Sequence, residues 1–258
     1  MISPATDPVG VEIVEELATL GFDYIELSLR DLAALPAGAL ARLIDRLHRA
    51  GLACEACNNF FPPEIRLTGP AADHPSALRY AQTALAAAAR LGVAVVIFGS
   101  AGARNVPAGF PPAAAWDQLR TLLGALGGLA DHHGITIGLE HLNRGESNIL
   151  NTVAEGGRMA REVAHPRIRL LIDAYHLRQE NEAPSILAEV APAIAHVHLA
   201  QGAGRLFPSG PDATLAGFFA QLRATGYTQR CSIEAYTSDF SPDAARALRR
   251  CRELAAGP

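Results

Sequence analysis

The sequence contains no lysine: all 22 of its Lys and Arg residues are arginine. That absence removes lysine Schiff-base chemistry, so neither a lysine-dependent aldolase nor a pyridoxal-phosphate enzyme is compatible with it. The lysine of a phosphate-binding P-loop is missing too, and no G-x-G-x-x-G follows a first strand. There is no basic stripe, and the formal net charge is −4, so neither nucleic acid nor an anionic membrane is an expected partner. No apolar run is long enough to span a bilayer. The start, Met1-Ile2-Ser3-Pro4, lacks the charged and apolar regions of a signal peptide, which makes cytoplasmic the expected location. Cysteine is scarce, with 4 residues. Cys54 and Cys57 form a C-x-x-C without the second pair a zinc site needs. Their strand spacing predicts opposite faces and free thiols.

What is present is a repeated phrase: a helical stretch, a glycine, a short β-rich run, then a polar residue. The β-rich runs are Phe22–Leu27, Leu52–Glu55, Val93–Phe98, Ile135–Glu140, Ile168–Asp173, Ile194–Leu199 and Cys231–Glu234. They lack clean alternation, as parallel strands buried on both faces do. Amphipathic segments at Ala37–Ala50, Ser76–Leu91, Ala113–His132, Thr152–Val163 and Leu215–Thr225 lie between them. Alternation of this kind predicts an α/β fold with a parallel sheet. A stub at Met1–Pro4, with a helix at Val9–Leu20, supplies an eighth strand, short or truncated. The expectation is a (β/α)8 TIM barrel, one domain over 1–258.

In such barrels the C-terminal strand ends carry the chemistry. Here consecutive strands end in Glu140, Asp173, His198 and Glu234. Three carboxylates converging on one axis repel unless a cation neutralises them. The set therefore predicts one divalent metal, with Mn²⁺, Mg²⁺ or Co²⁺ favoured over Zn²⁺ by the oxygen-rich ligands. Glu26 is open to two readings, a substrate contact or a structural ion pair. His196 shares a strand face with His198, and His141 is expected to point away from the metal.

The motifs Leu139-Glu140-His141-Leu142-Asn143-Arg144-Gly145-Glu146, Leu171-Ile172-Asp173-Ala174-Tyr175-His176, His196-Val197-His198-Leu199 and Ile233-Glu234 resemble the xylose-isomerase-like sugar isomerase/epimerase family. Asn58-Asn59-Phe60-Phe61-Pro62 extends the resemblance. It implies Glu140, Asp173, His198 and Glu234 as metal ligands, and Glu140 and Glu234 also as the catalytic acid/base pair. It implies Glu146, His176, Arg205 and Asn59 as substrate contacts, although an extra residue before Arg205 departs from the family pattern. It further implies a place in carbohydrate metabolism and a homodimer or homotetramer as the assembly.

The implied reaction is isomerisation or epimerisation of a keto sugar or small hydroxy-carbonyl compound. It proceeds by proton abstraction next to a carbonyl, through a metal-stabilised enediolate. A lyase or dehydratase on the same site is the alternative, since it begins with the same step. Apurinic endonucleases, related three-zinc barrels, need histidines where this chain has Asn59, Phe98 and Gly99. The segment Phe60–Pro75 reads equally as a water-excluding lid or as an ordinary surface loop.

Overall fold

The computed structural model describes residues 11–257. Strands β1 (Tyr24–Ser28), β2 (Ala53–Asn58), β3 (Val95–Phe98), β4 (Thr136–Glu140), β5 (Ile168–Asp173), β6 (Ile194–Leu199) and β7 (Cys231–Ile233) pair in parallel and in sequence order. Parallel neighbours joined by helical crossovers, with no reversal of strand order, curl into a barrel instead of a doubly wound sheet. The fold is a TIM barrel. The stub expected at Met1–Pro4, and the first two residues of the helix expected at Val9–Leu20, lie outside the described residues.

The outer layer is α1 (Val14–Leu20), α2 (Ala37–Ala50), α3 (His74–Leu91), α4 (Pro112–His132), α5 (Val153–Val163), α6 (Ala213–Ala224) and α7 (Phe240–Ala256). Local chemistry sets their ends. Asp73 caps α3 by accepting from Ser76 N at 3.0 Å. Thr152 and Glu155 close a capping box on α5. Gly51 takes the left-handed conformation after α2 (φ 66°), which turns the chain into β2. Helix α2 buries Leu40, Leu43 and Leu47 at helical spacing. Helix α3 buries mainly alanines (Ala77, Ala81, Ala84 and Ala88), which lets its backbone lie close to the strands.

Two separate cores follow from strand alternation. Outward side chains such as Ile25, Val96, Leu139, Leu170 and Val197 pack against the helices. Inward side chains Ala56, Ile97 and Leu171, with Tyr24 and Val95, plug the barrel below the strand tips. Two register shifts adjust the alternation. Ile25 pairs with Cys54 but Glu26 with Ala56, so Glu55 is an extra residue in β2. Leu170 pairs with Ile194 but Leu171 with His196, so Ala195 is an extra residue in β6. The first bulge corrects the cysteine expectation. With one residue inserted, Cys54 and Cys57 share a face, both within the outer core. Burial pushes the Cys57 thiol up, and its hydrogen bond with Cys54 adds to that. Both are free thiols.

Among the described residues β1 and β7 pair with β2 and β6 alone. A cavity of ≈ 240 Å³ lies along this seam, lined largely by apolar side chains including Leu17, Phe22, Phe219 and Ile233. No helix among the described residues is long and apolar enough to cross a membrane.

Candidate active site and metal centre

The register explains why the four tip residues meet. Glu140, Asp173 and His198 occupy inward positions of β4, β5 and β6, and Asp173 pairs directly with His198. Glu234 follows β7 on its inward phase, two residues after Ser232, which pairs with His198. One ligand atom from each lies within 4.8 Å of all the others. His198 Nδ1 stands 2.9 Å from Glu234 Oε2 and 3.5 Å from Glu140 Oε1, yet it is buried and has no aligned hydrogen-bond partner. Atoms that crowd a common centre without pointing at one another are what a ligand shell requires. Three carboxylates and one imidazole thus fit a divalent cation.

Arg205 shares this charge. Its Nη2 donates to Asp173 Oδ2 at 3.1 Å and makes a short hydrogen bond to Glu234 Oε2. Its guanidinium also stacks over Tyr175 at 5.0 Å. Burial would lower its pKa, but Glu234 and Asp173 outweigh burial and raise it. The chain before Arg205 forms a turn closed by Gln201 and Leu206, and Arg205 itself has φ 52°.

The environment drives the two flanking carboxyls apart in proton affinity. Burial raises Glu140, with Glu234 adding to it. Burial acts the same way on Glu234, but the charges of His198 and Arg205 prevail and hold it at about 2. Glu140 is also cradled, because a Cβ on Gly99 would sit 2.2 Å from its Oε2. Gly99→Ala therefore displaces a flexible carboxylate without disturbing the backbone. The expected result is a roughly 10²-fold loss of kcat/KM, the order of effect of an ångström-scale misplacement, with a melting temperature close to that of the parent.

His176 presents a defined proton. Its Nδ1 accepts from Asn143 Nδ2 at 2.8 Å and faces Asn143 N at 3.3 Å. Its Nε2 therefore carries the hydrogen, 3.5 Å from Asp173 Oδ2 and without an aligned partner. Glu146 is held by Asn143 Nδ2 at 3.1 Å. Glu140, Glu146, His176, Arg205 and Glu234 line one cavity of ≈ 390 Å³, and Asn59, Phe61, Pro63 and Arg30 line it too. Asn59 is exposed there, with φ 49°. All eight residues expected to act in metal binding, catalysis or substrate contact thus lie on or beside a single cavity.

The segment after Phe60 is anchored to its neighbours by hydrogen bonds. Leu67 N donates to Ala103 O at 2.9 Å, Thr68 Oγ1 to Arg104 O at 3.0 Å, and Tyr80 Oη to Phe60 O at 2.8 Å. His141 is buried, and burial followed by the charge of His176 pushes it down to about 3. Arg144 pairs with Glu180 at the surface, away from the cavity lining.

Several contributors went unread in the sequence. Arg104 is wholly buried without a carboxylate directly paired to it. Its Nη1 donates to Phe98 O at 3.1 Å and Glu140 O at 2.8 Å, and its Nη2 to Leu150 O at 3.4 Å. Burial lowers its pKa to about 10, partly offset by Glu140. Asn143 sits inside the Leu139–Glu146 motif without an expected role, and Gly99 is read in the sequence only as a missing histidine. Glu26, for which two readings were open, is an ion-pair residue: Oε1 accepts from His198 Nε2 at 2.9 Å and Oε2 from His196 Nε2 at 3.1 Å. Glu26, His196 and His198 also form a compact ligand-like trio. Their facing atoms, the two Nε2 nitrogens and the Glu26 oxygens, are used on one another, which leaves the quartet as the better cation site.

Comparison with known proteins matches residues 14–254 to the family described as xylose isomerase-like TIM barrel. The chain is 30% identical over 234 residues to an L-ribulose 3-epimerase of Methylomonas sp. (strain DH-1), covering 86% of this chain and 77% of that protein. A 3-dehydroshikimate dehydratase of Pseudomonas putida is 28% identical over 131 residues, 46% of this chain and 20% of that protein. A crystal structure of D-psicose 3-epimerase in the presence of D-fructose superposes with a TM-score of 0.85. It covers 96% of this chain and 94% of that chain, at 20% identity.

Proposed function

This chain belongs to the xylose isomerase-like TIM barrel family, and on that premise we propose that it is a divalent-metal-dependent epimerase of a ketose, inverting the carbon next to the carbonyl. The observation that carries the reading is the quartet itself, with Glu140 at the end of β4, Glu234 just past β7 and a cavity before them. The similarity to an L-ribulose 3-epimerase over most of the chain supports it.

A metal bound by Glu140, Asp173, His198 and Glu234 supplies Lewis-acid polarisation of the substrate carbonyl. The remaining work belongs to side chains. Glu140 and Glu234 face the reacting carbon from opposite sides, one removing its proton and the other returning one on the other face. His176 donates its Nε2 hydrogen to a substrate oxygen, while Glu146 and Arg205 orient hydroxyls. Phe61, Pro63 and Leu142 give the cavity apolar wall for the sugar carbon chain. Metal selection follows the oxygen-rich shell, which favours Mn²⁺, Mg²⁺ or Co²⁺ over Zn²⁺.

The second reading is a dehydratase, favoured by the partial similarity to 3-dehydroshikimate dehydratase. Incubation with a panel of unphosphorylated ketoses in D₂O with Mn²⁺ separates the two. Deuterium entering the carbon next to the carbonyl, together with formation of the epimer, is the expected result. Deuterium entry with loss of water moves the assignment to lyase, and no exchange with any metal or ketose overturns both. Mn²⁺ at 100-fold above its Kd is expected to stabilise the fold by about 2.7 kcal/mol. At about 2–4 °C per kcal/mol for a chain near this size, differential scanning fluorimetry resolves that shift.

A further inference from the structure

The network behind His198 links β1 to β7 as well as supporting the ligand. Glu26 is wholly interior on β1, while Ser232 stands on β7, a strand with which β1 makes no ladder among the described residues. Side chains span this seam instead. Ser232 Oγ donates to Glu26 Oε2 at 2.5 Å. Tyr24 Oη, also on β1, lies 2.7 Å from Ser232 Oγ, and His196 Nε2 lies 2.9 Å from the same atom.

One assignment of hydrogens satisfies every contact. The Glu26 carboxylate only accepts, so its partners must donate: His198 Nε2–H to Oε1, the Ser232 hydroxyl to Oε2, and His196 Nε2–H shared between Oε2 and Ser232 Oγ. Tyr24 then donates to Ser232. The consequence for His198 is fixed. With Nε2 carrying the hydrogen, Nδ1 is the nitrogen that faces the quartet.

We propose that Glu26 is a positioning residue that couples barrel closure to metal affinity: it holds β1 to β7 and, through the same carboxylate, aims His198 Nδ1 at the metal. The metal part of this inference rests on the function proposed above. A carboxylate behind a ligating histidine fixes its tautomer and ring orientation, and loss of such a partner weakens metal binding by about 10–100-fold. Because this carboxylate also ties β1 to β7, bound metal rigidifies two strands that no backbone ladder joins among the described residues.

The test is Mn²⁺ titration by calorimetry on the full chain, with hydrogen exchange followed at β1 and β7. Glu26→Gln keeps the shape but turns an amide NH₂ toward donors. It is expected to weaken Mn²⁺ binding by about 10–100-fold and to abolish the slowing of exchange that Mn²⁺ produces at β1 in the parent. Glu26→Asp keeps the charge and restores part of the affinity. Arg230→Gln breaks an exposed seam contact, the Arg230–Glu55 pair at 2.6 Å, and leaves affinity unchanged. A folded Glu26→Gln protein that binds Mn²⁺ within twofold of the parent overturns the proposal. If the substitution prevents folding, the parent decides: no slowing of β1 exchange on Mn²⁺ binding overturns it. A parent that binds no metal refutes the metal reading instead. Long-range ¹H–¹⁵N NMR of His198 then remains decisive for the placement, because an Nε2 without a proton contradicts it.

Discussion

Glu140→Gln and Glu234→Gln each lower turnover by roughly 10²–10⁴-fold, the range general acid–base groups contribute, and they do so asymmetrically. Glutamine keeps the size of the side chain and an oxygen for the metal but neither takes nor returns a proton. With Gln at 140, the epimer whose hydrogen faces Glu234 still exchanges with D₂O, without forming product. The opposite epimer does not exchange. With Gln at 234 the pattern reverses. Metal content measured on the same samples separates lost proton transfer from a lost ligand. Identical loss of exchange from both epimers in both variants, with metal retained, refutes the two-carboxylate assignment.

The largest stability effect is expected at Arg104. Its guanidinium joins the carbonyls of Phe98 and Glu140, at the paired ends of β3 and β4, to that of Leu150 in the following loop. Arg104→Met fills much of the same space but removes a buried cation and its hydrogen bonds to Phe98 O and Glu140 O, while Leu150 O keeps Leu142 N as a donor at 3.0 Å. Each such charge-assisted hydrogen bond contributes about 1.5–3 kcal/mol, so the two together are a large part of a typical folding free energy of about 5–15 kcal/mol. Arg104→Lys retains the charge, but an ammonium on a flexible stem cannot span the same fork, so an intermediate loss is expected. Urea unfolding of the three proteins measures both values. A midpoint for Arg104→Met matching the parent refutes the role.

The strands and their tip residues were legible because both signals are local: an apolar β-rich run, then a charged residue where the run stops. Four such endings in order point to one axis without any knowledge of distances. What stayed hidden depends on contacts across the barrel. Glu26 meets His198 from 172 positions away, and nothing around Tyr24-Ile25-Glu26 distinguishes that from a surface ion pair. Arg104 follows a small-residue loop that reads as ordinary surface, though an arginine sheltered by Ala101, Gly102 and Ala103 is a hint. Gly99 was noted only for the histidine it is not. Its significance, the room it leaves for Glu140, is a property of missing atoms. The cysteine pair was misread because one inserted residue has no signature in composition or periodicity.

The two bulges act as phase shifters. Ile194 faces the helices, so by simple alternation His196 and His198 would face them too, and the barrel would present Val197 to its own axis. The single extra residue at Ala195 advances β6 by half a period and turns both imidazoles inward. Glu55 does the same for Ala56 and Asn58. The site is thus written in two layers, a choice of residues and a choice of reading frame along the strand, and one residue gained or lost at either bulge would erase the second while leaving the first intact.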